Sequence, residues 1–214
     1  MYGKVLPYKR RIHFDGNSLM NLAGTGTAPG VTQGYYLGTK TMSLLTATEK
    51  PVYFCYGVGG RRTQVLIDEF PTKILPNFQK GDIVVMWEIT NHAHDETTDT
   101  TGVILYNKVV DYCNMDRSYG GYIILITGIA RDMTGFDDAN ISDRIFACNA
   151  LIRANASTIC DGVADFGALS IFDSKADVAN STYYMTDRTH IKNAAYDFAA
   201  QTLATVIDTL LLSI

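Results

Sequence analysis

Five short stretches, at residues 11–14, 52–58, 82–89, 122–129 and, more weakly, 157–163, are apolar almost throughout and rich in β-branched and aromatic side chains. A strand with one wet face alternates apolar and polar residues, whereas a strand covered on both faces reads as a near-continuous apolar run. Between these runs lie segments with apolar residues at helical spacing: 63–70, ending at Pro71, then 101–113, 141–155 and 193–212. Strand and helix signals that alternate in this way imply βαβ units wound into one parallel sheet with helices on both faces. At 214 residues, with 47% hydrophobic and 19% charged side chains, the chain suits a single α/β domain over residues 1–214 with a core that needs no disulfide or metal. Two segments fall outside the alternation and read as loops: the Gly/Thr-rich 24–38 and the stretch 132–140.

Charge and cysteine usage remove several classes of function. The formal net charge is −4 and the longest basic run is Lys9-Arg10-Arg11, so no nucleic-acid partner is expected. Cys55, Cys113, Cys148 and Cys160 form no CxxC pair and read as free thiols, neither a zinc knuckle nor a redox motif. The N-terminal MYGKVLPYKRR lacks the apolar stretch of a secretory signal, and no apolar run approaches the ~20 residues of a membrane span. The expectation is a soluble protein without a membrane partner, cytoplasmic or else released or assembled by a non-Sec route.

In open α/β sheets, reactive groups belong in the crevice beyond the carboxyl ends of the strands. Four stretches meet that condition or precede the last helix: Asp15-Gly16-Asn17-Ser18-Leu19, Tyr56-Gly57-Val58-Gly59-Gly60-Arg61-Arg62-Thr63, Trp87-Glu88-Ile89-Thr90-Asn91-His92, and Asp187-Arg188-Thr189-His190. Taken together and in this order, they resemble the Ser, Gly, Asn and His blocks of the SGNH hydrolases, the GDSL-type esterases and lipases. The resemblance spans Asp15 to His190. It implies a flavodoxin-like three-layer α/β/α fold with about five parallel strands, and an ester hydrolase with a serine nucleophile.

The chemistry of each block agrees with that implication. A serine hydroxyl is a poor nucleophile until a base takes its proton, so Ser18 needs an imidazole within hydrogen-bond reach. His190 alone among the four histidines has an acid three residues upstream, and Asp187 there could fix its tautomer and stabilise the imidazolium. The developing oxyanion needs donors already aimed, and the Ser18 and Gly60 backbone N–H groups and the Asn91 amide can supply them from three strand ends. Glycine at position 60 suits a close backbone approach or a positive φ. Two departures stand out: Asn17 replaces the usual Asp of the first block, and Ile89 and His92 replace the usual Gly and Asp of the third.

Each residue also has a plainer reading. Ser18 could be a turn former, Asn91 an ordinary turn residue, and Asp187 a cap for the last helix with His190 in its first turn. Arg61 or Arg62 could reach the cleft and bind substrate, or form a solvated pair, and His92 reads as a polar rim residue. His92-Ala93-His94-Asp95 offers a metal-dependent alternative, although only His13 and His190 remain as further imidazole ligands. The four blocks in order favour a serine esterase acting on small acyl esters, O-acetylated carbohydrate first among them, with no metal or organic cofactor. The alternative from another class is a non-catalytic glycan-binding or structural module, such as part of a virion or surface assembly.

Overall fold

The runs that read as doubly covered strands pair side by side in the computed structural model, which describes residues 10–20, 37–133 and 135–214. Strands β1 (Arg11–Gly16), β2 (Val52–Cys55), β3 (Ile83–Trp87), β4 (Tyr122–Ile126) and β5 (Gly162–Ala164) form one parallel sheet in the order β2-β1-β3-β4-β5. The order reverses between β1 and β3, which opens a crevice at their carboxyl ends.

Each strand sends alternate side chains into two separate cores, and this is why the runs are apolar throughout. Ile83, Val85, Trp87, Ile124 and Ile126 meet α1 (Leu37–Leu44) and α6 (Asn193–Ser213) on one face. Val84, Met86, Ile123 and Leu125 meet Leu66 and Phe70 of α2 (Thr63–Lys73), Leu105 and Val109 of α4 (Val103–Ser118), and Ile145 and Ile152 of α5 (Ile141–Ile159) on the other. Small residues Ala195, Ala199 and Ala200 let α6 sit close to its layer.

The observed elements differ from the sequence expectations at several ends. Pro71 lies inside α2, two residues before its end, where the missing N–H removes a single internal hydrogen bond. Residues 157–159 continue α5 and β5 is confined to three residues, because Ile152 and Ile159 bury along the same helix face. The chain leaves β2 at Tyr56 but still tracks β1, donating Tyr56 N–H to Phe14 O at 2.8 Å and Val58 N–H to Gly16 O at 3.2 Å. A short helix α3 (Thr90–Asp95) follows β3, and Asn91 lies in its first turn. Of the segment 24–38, residues 24–36 lie outside the described residues, while Leu37 and Gly38 open α1.

Among the described residues no helix is long and apolar enough to cross a membrane. Cys113, Cys148 and Cys160 are free, buried thiols.

One buried carboxyl makes the fold sensitive to pH. Asp116 in α4 is fully buried, and neither of its carboxyl oxygens has a hydrogen-bond partner among the described residues. Burial, and after it the like charge of Asp161, pushes its pKa up to about 8, against the opposing pull of Arg117. The folded chain therefore holds a proton that the unfolded chain releases near pH 4, so this group's contribution to stability falls as pH rises from about 4 to 8. Asp116→Asn removes that dependence while keeping the shape. We expect it to raise the melting temperature by about 4–8 °C at pH 8 and by less than about 2 °C at pH 4.5, measured by thermal unfolding at both values. An equal shift at the two pH values would contradict the buried-proton account.

Candidate active site

The turn after β1 carries Ser18 to the crevice. Asn17 shapes the turn: its Oδ1 accepts Leu19 N–H at 2.8 Å and its backbone O accepts Met20 N–H at 3.1 Å. Its Nδ2 donates to Glu88 Oε1 at 3.4 Å, a contact that a carboxylate at position 17 would turn into repulsion. Asn in place of Asp is thus matched by an acid on β3's exit. Gly16 is required by close approach, since a Cβ there would sit 2.4 Å from the Trp87 carbonyl oxygen.

Residues 185–190 form a tight loop ahead of α6. Met185 N–H donates to His190 O at 2.8 Å and Arg188 N–H to Met185 O at 3.0 Å, with Arg188 at φ 53°. A non-glycine residue held in that left-handed region carries backbone strain of a kind that clusters at functional sites. The loop folds Asp187 back onto His190. Asp187 Oδ2 lies 2.6 Å from His190 Nδ1, and its Oδ1 accepts the Thr189 and His190 backbone N–H groups, each at 3.0 Å. His190 Nε2 lies 2.9 Å from Ser18 Oγ. The helix-cap reading of Asp187 fails, because α6 begins only at Asn193.

Electrostatics keep Asp187 in its charged form. Partial burial pushes its pKa up, but hydrogen bonds from the His190 side chain, His190 N–H and Thr189 N–H outweigh burial and hold it below the ordinary carboxylate range. An ionised Asp187 accepts from Nδ1–H, which leaves Nε2 as the basic nitrogen facing Ser18.

Two further donors reach the same pocket. Gly60 has φ 78° and a Cβ there would meet nothing within 4 Å, so its glycine answers to backbone conformation and not to space. Asn91 sits in the first turn of α3. Glu88 caps that turn by accepting Asn91 N–H at 2.7 Å and His92 N–H at 3.3 Å, and it also accepts the Thr63 hydroxyl at 2.8 Å. Burial pushes the Glu88 pKa up, against these hydrogen bonds.

Ser18, Gly60, Asn91 and His190 all line one pocket of about 420 Å³, with Arg62, His94, Met133 and Phe136 forming part of its wall. A volume of this order suits a small organic ligand. Phe136 is 71% exposed on that wall.

The substrate-binding expectation for Arg61 and His92 needs correcting. Arg61 turns inward, donating to Asp15 Oδ1 at 3.0 Å and Tyr56 O at 2.6 Å and pairing with Glu69 at 3.0 Å. Asp15 in turn is fully buried, and burial, against the opposing Arg61, Tyr112 and Gly16 contacts, pushes its pKa up to about 6. Arg62 is the residue at the pocket, where it pairs with Asp95. His92 is likewise buried, 3.4 Å from Glu96, with burial holding its pKa below the ordinary imidazole value. Its neighbour but one, His94, lines the pocket and contacts Asp137 at 3.0 Å. Residues at i and i+2 on a helix do not face each other, so the two imidazoles do not converge on one metal. Among the described residues no group of three or more His, Cys, Asp or Glu is arranged to hold a metal ion.

Four polar residues of the site were not singled out from sequence: Glu88, Thr63, Arg131 and Asp137. Arg131 had a usable signal, being the first charged residue beyond the carboxyl end of β4. Glu88 had a weaker one, an acid at the end of an otherwise apolar strand.

No protein-family model and no curated protein matches the sequence. Solved structures do match. A GDSL-like lipase from Bacteroides thetaiotaomicron superposes with a TM-score of 0.67 at 14% identity, covering 96% of this chain and 89% of that one. A Slackia heliotrinireducens protein assigned to the SGNH hydrolases gives 0.64 at 20% identity, over 94% of this chain and 100% of the other. An acetyl xylan esterase gives 0.60 at 16% identity, over 92% and 98%. At these identities the likeness is one of fold, and the fold is that of the SGNH and GDSL-type hydrolases.

Proposed function

We propose that this chain, an SGNH-hydrolase fold over residues 1–214, is a serine esterase that hydrolyses small acyl esters, with O-acetyl groups on carbohydrate as the first substrate class. The observation that carries the reading is the unbroken hydrogen-bonded series Ser18–His190–Asp187, at 2.9 and 2.6 Å, opening onto the pocket. In the proposed reaction Ser18 Oγ attacks the ester carbonyl while His190 Nε2 takes its proton. Asp187 holds the imidazole and stabilises the imidazolium. The tetrahedral oxyanion lies among the Ser18 N–H, the Gly60 N–H and the Asn91 amide. His190 then gives its proton to the departing alcohol, and water, activated by the same imidazole, releases the acid from Ser18.

The substrate class draws support from the pocket wall. Arg62 and His94 offer polar contacts suited to hydroxyl groups, and the exposed Phe136 offers a flat apolar face beside them. One matching structure is an acetyl xylan esterase. The chemistry requires no metal or organic cofactor.

Treatment with a fluorophosphonate probe, followed by mass spectrometry of the peptides, tests the nucleophile directly, beside hydrolysis of p-nitrophenyl acetate and an O-acetylated oligosaccharide with and without chelator. The expected result is one adduct, on Ser18, and chelator-indifferent release of acetate. Sugar binding with neither adduct nor hydrolysis would replace the esterase by a glycan-binding module. Hydrolysis that survives in Ser18→Ala and fails with chelator would replace it by metal chemistry.

A further inference from the structure

The amide of Asn91 is nearly symmetric in shape, so sterics alone do not decide which of its ends is oxygen and which nitrogen; its partners do. On one side, Arg131 Nη1 donates to Asn91 Oδ1 at 3.2 Å. On the other, Asn91 Nδ2 donates to the Arg61 carbonyl oxygen at 3.0 Å. A flipped amide would set its NH₂ against a guanidinium and its oxygen against a carbonyl. The second Nδ2 hydrogen is left for the pocket that Asn91 lines.

Arg131 is itself held on every side. Its Nε and Nη2 fork onto the two oxygens of Asp137, both at 2.8 Å, and its Nη1 also reaches Thr90 O at 3.1 Å. Its backbone N–H donates to Ser142 Oγ at 3.0 Å, and that hydroxyl donates back to Arg131 O at 2.8 Å. The Arg131 side chain is 4% exposed and that of Asp137 is 0% exposed. Asp137 also accepts Met133 N–H at 2.7 Å and contacts His94 Nδ1 at 3.0 Å. A bidentate pair of this kind fixes the guanidinium plane, and with it the direction of the remaining N–H toward Asn91.

We infer that Arg131, anchored by Asp137, is a positioning residue for the oxyanion hole: it sets the orientation of the Asn91 amide and, by bonding its oxygen, polarises the N–H that faces the substrate. The inference rests on the proposed esterase reading. A cation at an amide oxygen draws electron density from nitrogen, and hydrogen bonds in such series strengthen one another. The hole thereby gains part of the effect of a positive charge, while the charge itself, at the wall of the same pocket, stays paired with Asp137.

The test is a cycle of wild type, Arg131→Gln, Asn91→Ala and the double variant, with kcat and KM measured on p-nitrophenyl acetate and active sites counted by fluorophosphonate stoichiometry. Arg131→Gln is expected to lower kcat about 10- to 50-fold with KM within about threefold of wild type, yet to cost less than about threefold in the Asn91→Ala background. Arg131→Lys, which keeps the charge but cannot fork onto Asp137 and reach Asn91 together, is expected to fall between. It also serves as the variant for comparison should Arg131→Gln fail to fold. Equal losses from Arg131→Gln with and without Asn91, or wild-type kcat in Arg131→Lys and Arg131→Gln alike, would overturn the positioning role and leave the esterase standing. Wild-type protein without Ser18-dependent turnover would remove both.

Discussion

Ser18→Ala will retain at most about one thousandth of wild-type kcat/KM on any ester the protein hydrolyses. Among the described residues the side chain has one hydrogen-bond partner, His190 Nε2 at 2.9 Å, and the turn that carries it is held by Asn17 and by Tyr196, whose hydroxyl donates to Leu19 O at 2.9 Å. Removing one hydroxyl therefore leaves the local structure in place, and the melting temperature should move by no more than about 2 °C. His190→Ala should lose as much, and the double variant little more than either, because nucleophile and base act as one unit. Activity that survives Ser18→Ala within tenfold, in protein shown by thermal unfolding to be folded, would mean that another group attacks the ester.

Asn91→Ala should lower kcat by about 10²–10³ with little change in KM, the signature of a donor used in the transition state and not in the ground state. The substitution spares the architecture around it. Asn91 N–H still reaches Glu88 Oε1, and Arg131 keeps both Asp137 oxygens and Thr90 O. Asn91→Asp is the sharper variant. Its carboxylate would keep the bond to Arg131 but face the oxyanion and the Arg61 carbonyl with like charge, so its loss should exceed that of alanine. A rise in KM at unchanged kcat would assign Asn91 to substrate binding instead.

The sheet was legible because both cores leave the same mark on the sequence. Ile83 to Trp87 and Tyr122 to Ile126 are apolar at every position, since odd and even residues have different helices to cover. The weakest strand was misjudged for the complementary reason. Residues 157–159 are β-branched or small, but burial of Ile159 beside Ile152 extends α5 through them. At the site, residue types that must fall just beyond strand ends were found, and Ser18, Asp187, His190, Gly60 and Asn91 do meet at one pocket or its hydrogen bonds. The direction of adjacent side chains was not legible. Arg61 and Arg62 are equivalent in sequence, and only the buried Asp15 and the half-exposed Glu69 decide that the first turns in and the second out. His92 and His94 separate in the same way across α3, a helix hidden because its N-terminal cap comes from Glu88, two residues outside it.

The hydrogen bond between Ser18 and His190 joins residues 172 positions apart. Sheet pairing of β1 with β3 and the packing of the core under α2, α4 and α5 can be far advanced while this contact is still open, because closure of a loop carries an entropic cost that grows with its length, and Tyr184 and Ile191 beside the histidine belong to the other core. On the proposed chemistry, the chain stays inert during assembly and turns reactive only when the segment ahead of α6 docks. Labelling at Ser18 would then time the completion of refolding, a clock that secondary structure alone does not supply.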